Sequence, residues 1–168
     1  MCGLVGIFSS NMTDELKQAF RTMHLIDVAR GEDSCGLMAA YSDGTHKVVK
    51  GLHVPLFMYL DDKENVLDDI GLVRGKPTCI LGHNRKTTVG ATNLDNAHPF
   101  EFDAIVGAHN GTLKKYSMNH FGNAHFDVDS QQMCDALDNV ALGVKDVKFS
   151  SVNKVLSSIE GAIAATWW

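Results

Sequence analysis

The period of the apolar positions changes several times along the chain. Residues 2–8 alternate small and β-branched side chains, the period-two mark of a buried strand. Leu16, Ala19, Phe20, Met23 and Ile26 then recur every three or four residues after Asn11, Thr13, Asp14 and Glu15, a helix start. This spacing predicts a helix that runs to Arg30-Gly31, where glycine closes it. Cys35 to Tyr41 and His46 to Lys50 read as two strands joined at an Asp43-Gly44 hairpin. Residues 61–69 are acidic and read as helix or loop. A short strand is predicted over Thr78 to His83, a long polar loop over 84–99, and a strand from Asp103 to Ala108 that ends in His109-Asn110-Gly111. Ser130 to Leu142 has a helical period through Met133, Cys134, Leu137 and Val140. Ser151 to Ile159 predicts a shorter helix and Gly161 to Trp168 a last strand. Paired strands with two or three helices predict α+β layers.

Composition narrows the class. The chain has 168 residues, 45% hydrophobic and 21% charged, which excludes a disordered chain and fits one domain over 1–168. No run of about eighteen apolar residues is present, so no membrane span is expected. A net charge of −5 argues against binding a nucleic-acid backbone. The first residues lack a basic region and cleavage site, so the cytoplasm is the expected compartment. Cys2, Cys35, Cys79 and Cys134 have long irregular gaps, which predicts free thiols, with all but Cys2 in the core, and no zinc or redox motif. His120 and His125 are wrongly spaced for a metal pair. Gly71 to Lys76 is one residue short of a phosphate loop, with Pro77 where Ser or Thr is needed. Neither a metal nor a cofactor is expected. Two terminal tryptophans suit a domain whose last strands are missing.

Candidate chemistry sits at a few points. Methionine aminopeptidases remove Met1 before a small residue. Cys2 would then carry an α-amine titrating at about 7.7–8.0 and a thiol at about 8.5, nucleophile and base in one residue. By position alone, Cys2 reads first as a small buried residue on a strand, or a harmless second residue. Arg85 offers a forked donor suited to a carboxylate, or is an ordinary surface arginine. Asn110 beside Gly111 can form an oxyanion hole from a side-chain amide and a backbone N–H, or a common Asn-Gly turn. Asp129-Ser130 reads as a helix N-cap, and Arg30 to Ser34 as a helix cap and turn.

Six pieces occur in one order: Met-Cys-Gly-Leu-Val-Gly-Ile at 1–7, Arg-Gly-x-Asp-Ser-x-Gly at 30–36, Gly-His-x-Arg-x-x-Thr-x-Gly at 82–90, Asn-Ala-His-Pro at 96–99, His-Asn-Gly at 109–111 and Asp-Ser at 129–130. With them the chain resembles the glutaminase domain of class II glutamine amidotransferases, which are N-terminal-nucleophile hydrolases. The resemblance implies an αββα four-layer sandwich of two antiparallel sheets between helices, truncated here at its C-terminus. It implies L-glutamine as substrate, hydrolysed to glutamate and ammonia through a Cys2 thioester. It also implies a partner, an ammonia-accepting synthase or transferase domain or subunit. Cys2 would be the nucleophile and its α-amine the proton carrier. The Asn110 side chain and the Gly111 N–H would hold the oxyanion. Arg85, assisted by Thr88, would pair with the substrate α-carboxylate, and Asp129 with the Gly111 carbonyl would hold the α-ammonium. Arg30, Asp33, His83 and His109 would support these groups. Lys86 stands where the family usually has Trp, and Val89 where it often has His, both in a loop that closes over glutamine. Two rival readings are a degenerate binding or assembly domain of the same fold and an amidase of this class for another amide. Arg85 with Asp129, a match to an α-amino acid end, argues against the second rival.

Overall fold

The computed structural model describes residues 2–60, 70–72, 75–114, 126–144 and 146–168. The acidic segment 61–69, His120, His125 and part of Gly71 to Lys76 lie outside the described residues. Elements follow in the order β1 (Gly3–Phe8), α1 (Asp14–Ile26), a 3-10 turn (Asp27–Arg30), β2 (Ser34–Ala40), β3 (His46–Gly51), α2 (Pro55–Leu60), β4 (Cys79–Arg85), β5 (Phe100–Glu101), β6 (Val106–Leu113), α3 (Asp129–Ala141), α4 (Phe149–Ser157) and β7 (Gly161–Trp167).

Two antiparallel sheets are built from these strands, ordered β1-β4-β2-β3 and β5-β6-β7. Side-chain alternation on β2, buried along its whole length, makes the layers. Cys35, Leu37 and Ala39 face one way and pack with Phe20 of α1 and Met58 of α2. Met38 and Ala40 face the other way and meet Val106 of β6 and Trp168. The far face of the second sheet carries Leu113, Ala165 and Trp167 against Met133, Leu137 and Val155 of α3 and α4. Helices, sheet, sheet, helices is the four-layer order that was expected.

Local chemistry explains the boundaries. Thr13 caps α1 by accepting the Leu16 N–H at 3.3 Å, and Asp14 and Glu15 occupy its first turn. The helix stops at Ile26, four residues before the predicted end, and tightens into the 3-10 turn. Gly31 is extended (φ −167°) rather than a left-handed cap. A Cβ there would run into the Arg85–Lys86 peptide, so glycine serves close approach. β1 is an edge strand with Phe8 60% exposed, not the buried strand expected. β4 extends two residues past His83 to Arg85, and β6 starts three residues late but runs through Asn110-Gly111 to Leu113. The short elements α2 and β5 carry no clear period in the sequence. Both terminal tryptophans are half-buried, and Trp168 exchanges backbone bonds with Val106 at 2.9 Å each way. Cys35, Cys79 and Cys134 are buried free thiols, pushed up to about 12 by burial. No described helix is long and apolar enough to cross a membrane.

Candidate active site

The four-stranded sheet brings Cys2, Ser34 and Arg85 to one end, because Gly3 pairs with Asn84 and Ser34 with Arg85. The Cys2 carbonyl accepts from Arg30 Nε at 2.9 Å and from Asn110 Nδ2 at 2.6 Å. The Cys2 Sγ lies against the backbone of Lys86, whose N–H donates to it at 3.4 Å and whose carbonyl accepts from it at 3.5 Å. The structure thus brings together Cys2, Arg30 and Asn110 and adds the backbone of Lys86, a residue the sequence marked only as a departure from the family pattern.

Asn110-Gly111 is not a turn. Both residues lie in mid-strand, opposite Ala164 and Ile163 of β7. Val106 exchanges both backbone bonds with Trp168, and Lys114 donates to Glu160. In an antiparallel ladder bonded pairs alternate. Gly111 therefore turns its N–H and carbonyl away from β7. Leu113, two residues on, does the same, and its N–H reaches Asp129 Oδ2 at 2.7 Å. β5 covers only Val106 and Gly107 on that side, so among the described residues the strand edge at 111–113 has no strand beside it.

Asp129 is the first residue of α3, while Val128 holds the N-cap position. Its carboxylate accepts Leu113 N–H and, at 2.8 Å, Ser130 N–H, so it bridges β6 and α3 instead of capping the helix with its side chain. His109 Nδ1 meets Ser130 Oγ at 2.9 Å, and Ser130 Oγ meets Asp129 Oδ1 at 3.4 Å. His109 therefore supports the Asp129 end, not the Cys2 end. An open cleft of about 330 Å³ lies in front, lined by Val89, Thr112, Leu113, Phe126, Asp127, Asp129 and Gln132. Of the residues predicted for the site, Asp129 lines this cleft.

Arg85 is 3% exposed, not a surface arginine. Its fork donates to the carbonyls of Val89 at 2.6 Å and Ala91 at 3.1 Å, closing the loop that follows β4 on itself. Asn96 tightens the same loop from Ala91 O at 3.0 Å. Gly90 sits at φ +74° with Val128 and Asn96 around its Cα, a conformation and a space that suit glycine. Asp33 accepts Thr87 N–H at 2.7 Å and Lys86 Nζ at 3.3 Å, which holds its carboxyl below the usual range. It supports the loop, not the N-terminus. Thr88 is exposed beside it.

His83 points between the sheets, where it stacks on His98 with ring centroids 3.9 Å apart. None of the four ring nitrogens has a hydrogen-bond partner among the described residues. Burial drives His83 down to about 3 and His98 well below the ordinary imidazole value, so both rings are neutral. Among the described residues, no three His, Cys, Asp or Glu side chains converge as metal ligands.

The family model for class II glutamine amidotransferases matches residues 1–166. The chain is 31% identical over 121 residues to an amidophosphoribosyltransferase of Archaeoglobus fulgidus, covering 70% of this chain and 24% of that protein. It is 28% identical over 180 residues to a glutamine–fructose-6-phosphate aminotransferase (isomerizing) of Zymomonas mobilis, covering 98% and 26%. The chain thus spans about a quarter of the length of these curated relatives. In fold it is similar to the glutamine phosphoribosylpyrophosphate amidotransferase of B. subtilis, with a TM-score of 0.67, 20% identity, and coverage of 99% of this chain and 35% of that one.

Proposed function

The chain belongs to the class II glutamine amidotransferases, and on that footing we propose that it hydrolyses the side-chain amide of L-glutamine through Cys2 and hands the ammonia to an acceptor unit. The observation that carries this reading is the setting of Cys2. It opens the chain after Met1 and touches Asn110, Arg30 and the Lys86 peptide.

Removal of Met1 frees the Cys2 α-amine. That amine takes the thiol proton, and the thiolate attacks the glutamine amide carbon. One hydrogen of Asn110 Nδ2 holds the Cys2 carbonyl, and an amide nitrogen carries two. Its second hydrogen and the outward Gly111 N–H serve the oxyanion. The C–N bond breaks as the nitrogen takes the proton from the α-ammonium, so ammonia leaves and a thioester remains. Water then adds, gives its proton to the α-amine, and glutamate leaves as the thiol is restored.

The cleft suits the amino-acid end of the substrate. Asp129 and the outward Gly111 carbonyl receive the α-ammonium. Arg85 has spent two of its N–H donors on the loop and guanidinium carries five, so donors remain for the α-carboxylate, assisted by Thr88. The relatives name different acceptor reactions, and the acceptor is a synthase or transferase unit whose substrate the site itself does not specify.

Intact-mass measurement after incubation with a diazoketone analogue of glutamine tests the reading. A chain lacking Met1 and carrying one adduct, absent in Cys2→Ala, is the expected result. A demethionylated, folded chain without adduct would overturn it in favour of a binding or assembly domain.

A further inference from the structure

The sulfur of Cys2 is placed by a peptide, and that peptide is placed by a side chain. Lys86 Nζ lies 3.3 Å from Asp33 Oδ1 and 3.6 Å from Glu32 Oε1. Those carboxylates belong to the turn that follows Gly31, and Gly31 packs on the Arg85–Lys86 peptide. The same turn touches the loop twice more, through Asp33 N–H to Arg85 O at 3.0 Å and Thr87 N–H to Asp33 Oδ2 at 2.7 Å. The ammonium is the only one of these contacts that neutralises two adjacent acids. Its charge is favoured by them, and the pKa of Lys86 is raised, chiefly by its bond to Asp33.

We propose that Lys86 is a positioning residue for the nucleophile: its ammonium clamps the 32–33 turn to the start of the loop and so keeps its own backbone N–H and carbonyl on the Cys2 sulfur. The backbone N–H and carbonyl of Lys86, which belong to successive peptide groups, act on different forms of the thiol. The carbonyl accepts from the neutral S–H, and the N–H faces the sulfur when it carries negative charge. With the ammonium gone, Glu32 and Asp33 repel one another, the turn relaxes, and the N–H loses its fixed approach to the sulfur. The inference rests on Cys2 being the nucleophile of the proposed reaction.

The test reads the sulfur directly. Iodoacetamide alkylates Cys2 with formation of an S–C bond, departure of iodide and release of the thiol proton to solvent. Cys35, Cys79 and Cys134 are buried, and peptide mass assigns the label, with Cys2→Ala as control. Because the reagent is uncharged, salt acts only on the protein. Raising salt from about 0.05 M to about 0.5 M shortens the screening length to about 4 Å.

Wild type should lose rate with salt. Lys86→Gln should react about three- to tenfold more slowly at low salt, as expected for two half-exposed ion pairs, and respond little to salt. Lys86→Arg should behave as wild type. A Lys86→Gln protein with the wild-type rate, or with the wild-type salt response, overturns the clamp. If alkylation follows the expected pattern while glutamine is not hydrolysed, the proposed reaction fails and the clamp stands. The two failures are therefore distinct.

Discussion

The open edge of β6 and the His83–His98 stack both hold polar groups that the sheets leave unclaimed, yet they face opposite surroundings. At the edge, the Gly111 N–H points away from β7, and Asn110 keeps one amide hydrogen beyond the one that holds the Cys2 carbonyl. In the stack, four ring nitrogens are sealed between sheets with His83 fully buried and His98 4% exposed. A donor without a partner at a cleft is available to a ligand at no cost in broken protein bonds. A ring without a partner in the interior only restricts what charge the interior can tolerate. On the proposed reading the first kind of gap is a binding feature, and the second is a condition on stability.

The comparison breaks first at Asn110. Asn110→Ala should lower glutamine turnover by about 10²–10³, or about 2.7–4 kcal/mol of barrier, with little change in KM. Steady-state kinetics decide it, and a wild-type kcat would remove the edge from the chemistry. Next comes Asp129→Asn, which deletes the negative charge proposed to receive the α-ammonium. A charged hydrogen bond of about 1.5–3 kcal/mol predicts a KM raised roughly ten- to a hundredfold. An unchanged KM would mean that the amino-acid end binds elsewhere.

The sealed region should respond to acid instead. His83 is held at about 3 and His24 at about 4, both chiefly by burial, and His98 is lowered too. His98 faces His83, His109, Arg85 and Lys50, all of which disfavour its charging. The unfolded chain binds protons at about pH 6.5 and the folded one does not. Stability is therefore full above that pH and falls as pH drops toward the folded values, by about 1.4 kcal/mol per pH unit for each histidine. Urea midpoints at pH 7.5 and pH 5.5 test this, and equal midpoints would contradict it. The smallest effect is expected of His98→Phe, which keeps an aromatic ring on His83 and Phe100. It should reduce the acid slope by one histidine's share and leave KM for glutamine unchanged. A changed KM would join the sealed region to the site.

Much of this was legible in the sequence. Period-two and period-3.6 patterns marked β2, β3, α1, α3 and β7, although the buried face of α1 runs through Lys17, Phe20 and His24 while Met23 and Ile26 of its predicted apolar face are exposed. The motif order names Cys2, Arg30 and Asn110, which the fold brings into contact. Other parts have no local signature. α2 is six residues long and β5 two, too short for a period. That Asn110-Gly111 is strand and not turn depends on β7, some fifty residues away, supplying the partner. His83 and His109 were grouped as supports of one centre, but alternation on their strands sends one to the inter-sheet space and the other to α3. Lys86 showed only as a departure from the family pattern. Its role lies in the meeting of two loops, which no spacing in the chain encodes.

The register of the four-stranded sheet also divides the molecule by distance. β2 starts beside Arg85 and ends at Ala40, where the exposed turn 42–45 carries the chain into β3. Seven residues of strand put that turn about 23 Å from the Cys2 end. A sequence inserted there, or a domain fused through it, would hang a strand's length from the proposed site. That tip is a natural attachment point for evolution or engineering to add cargo while the Cys2 end stays as it is.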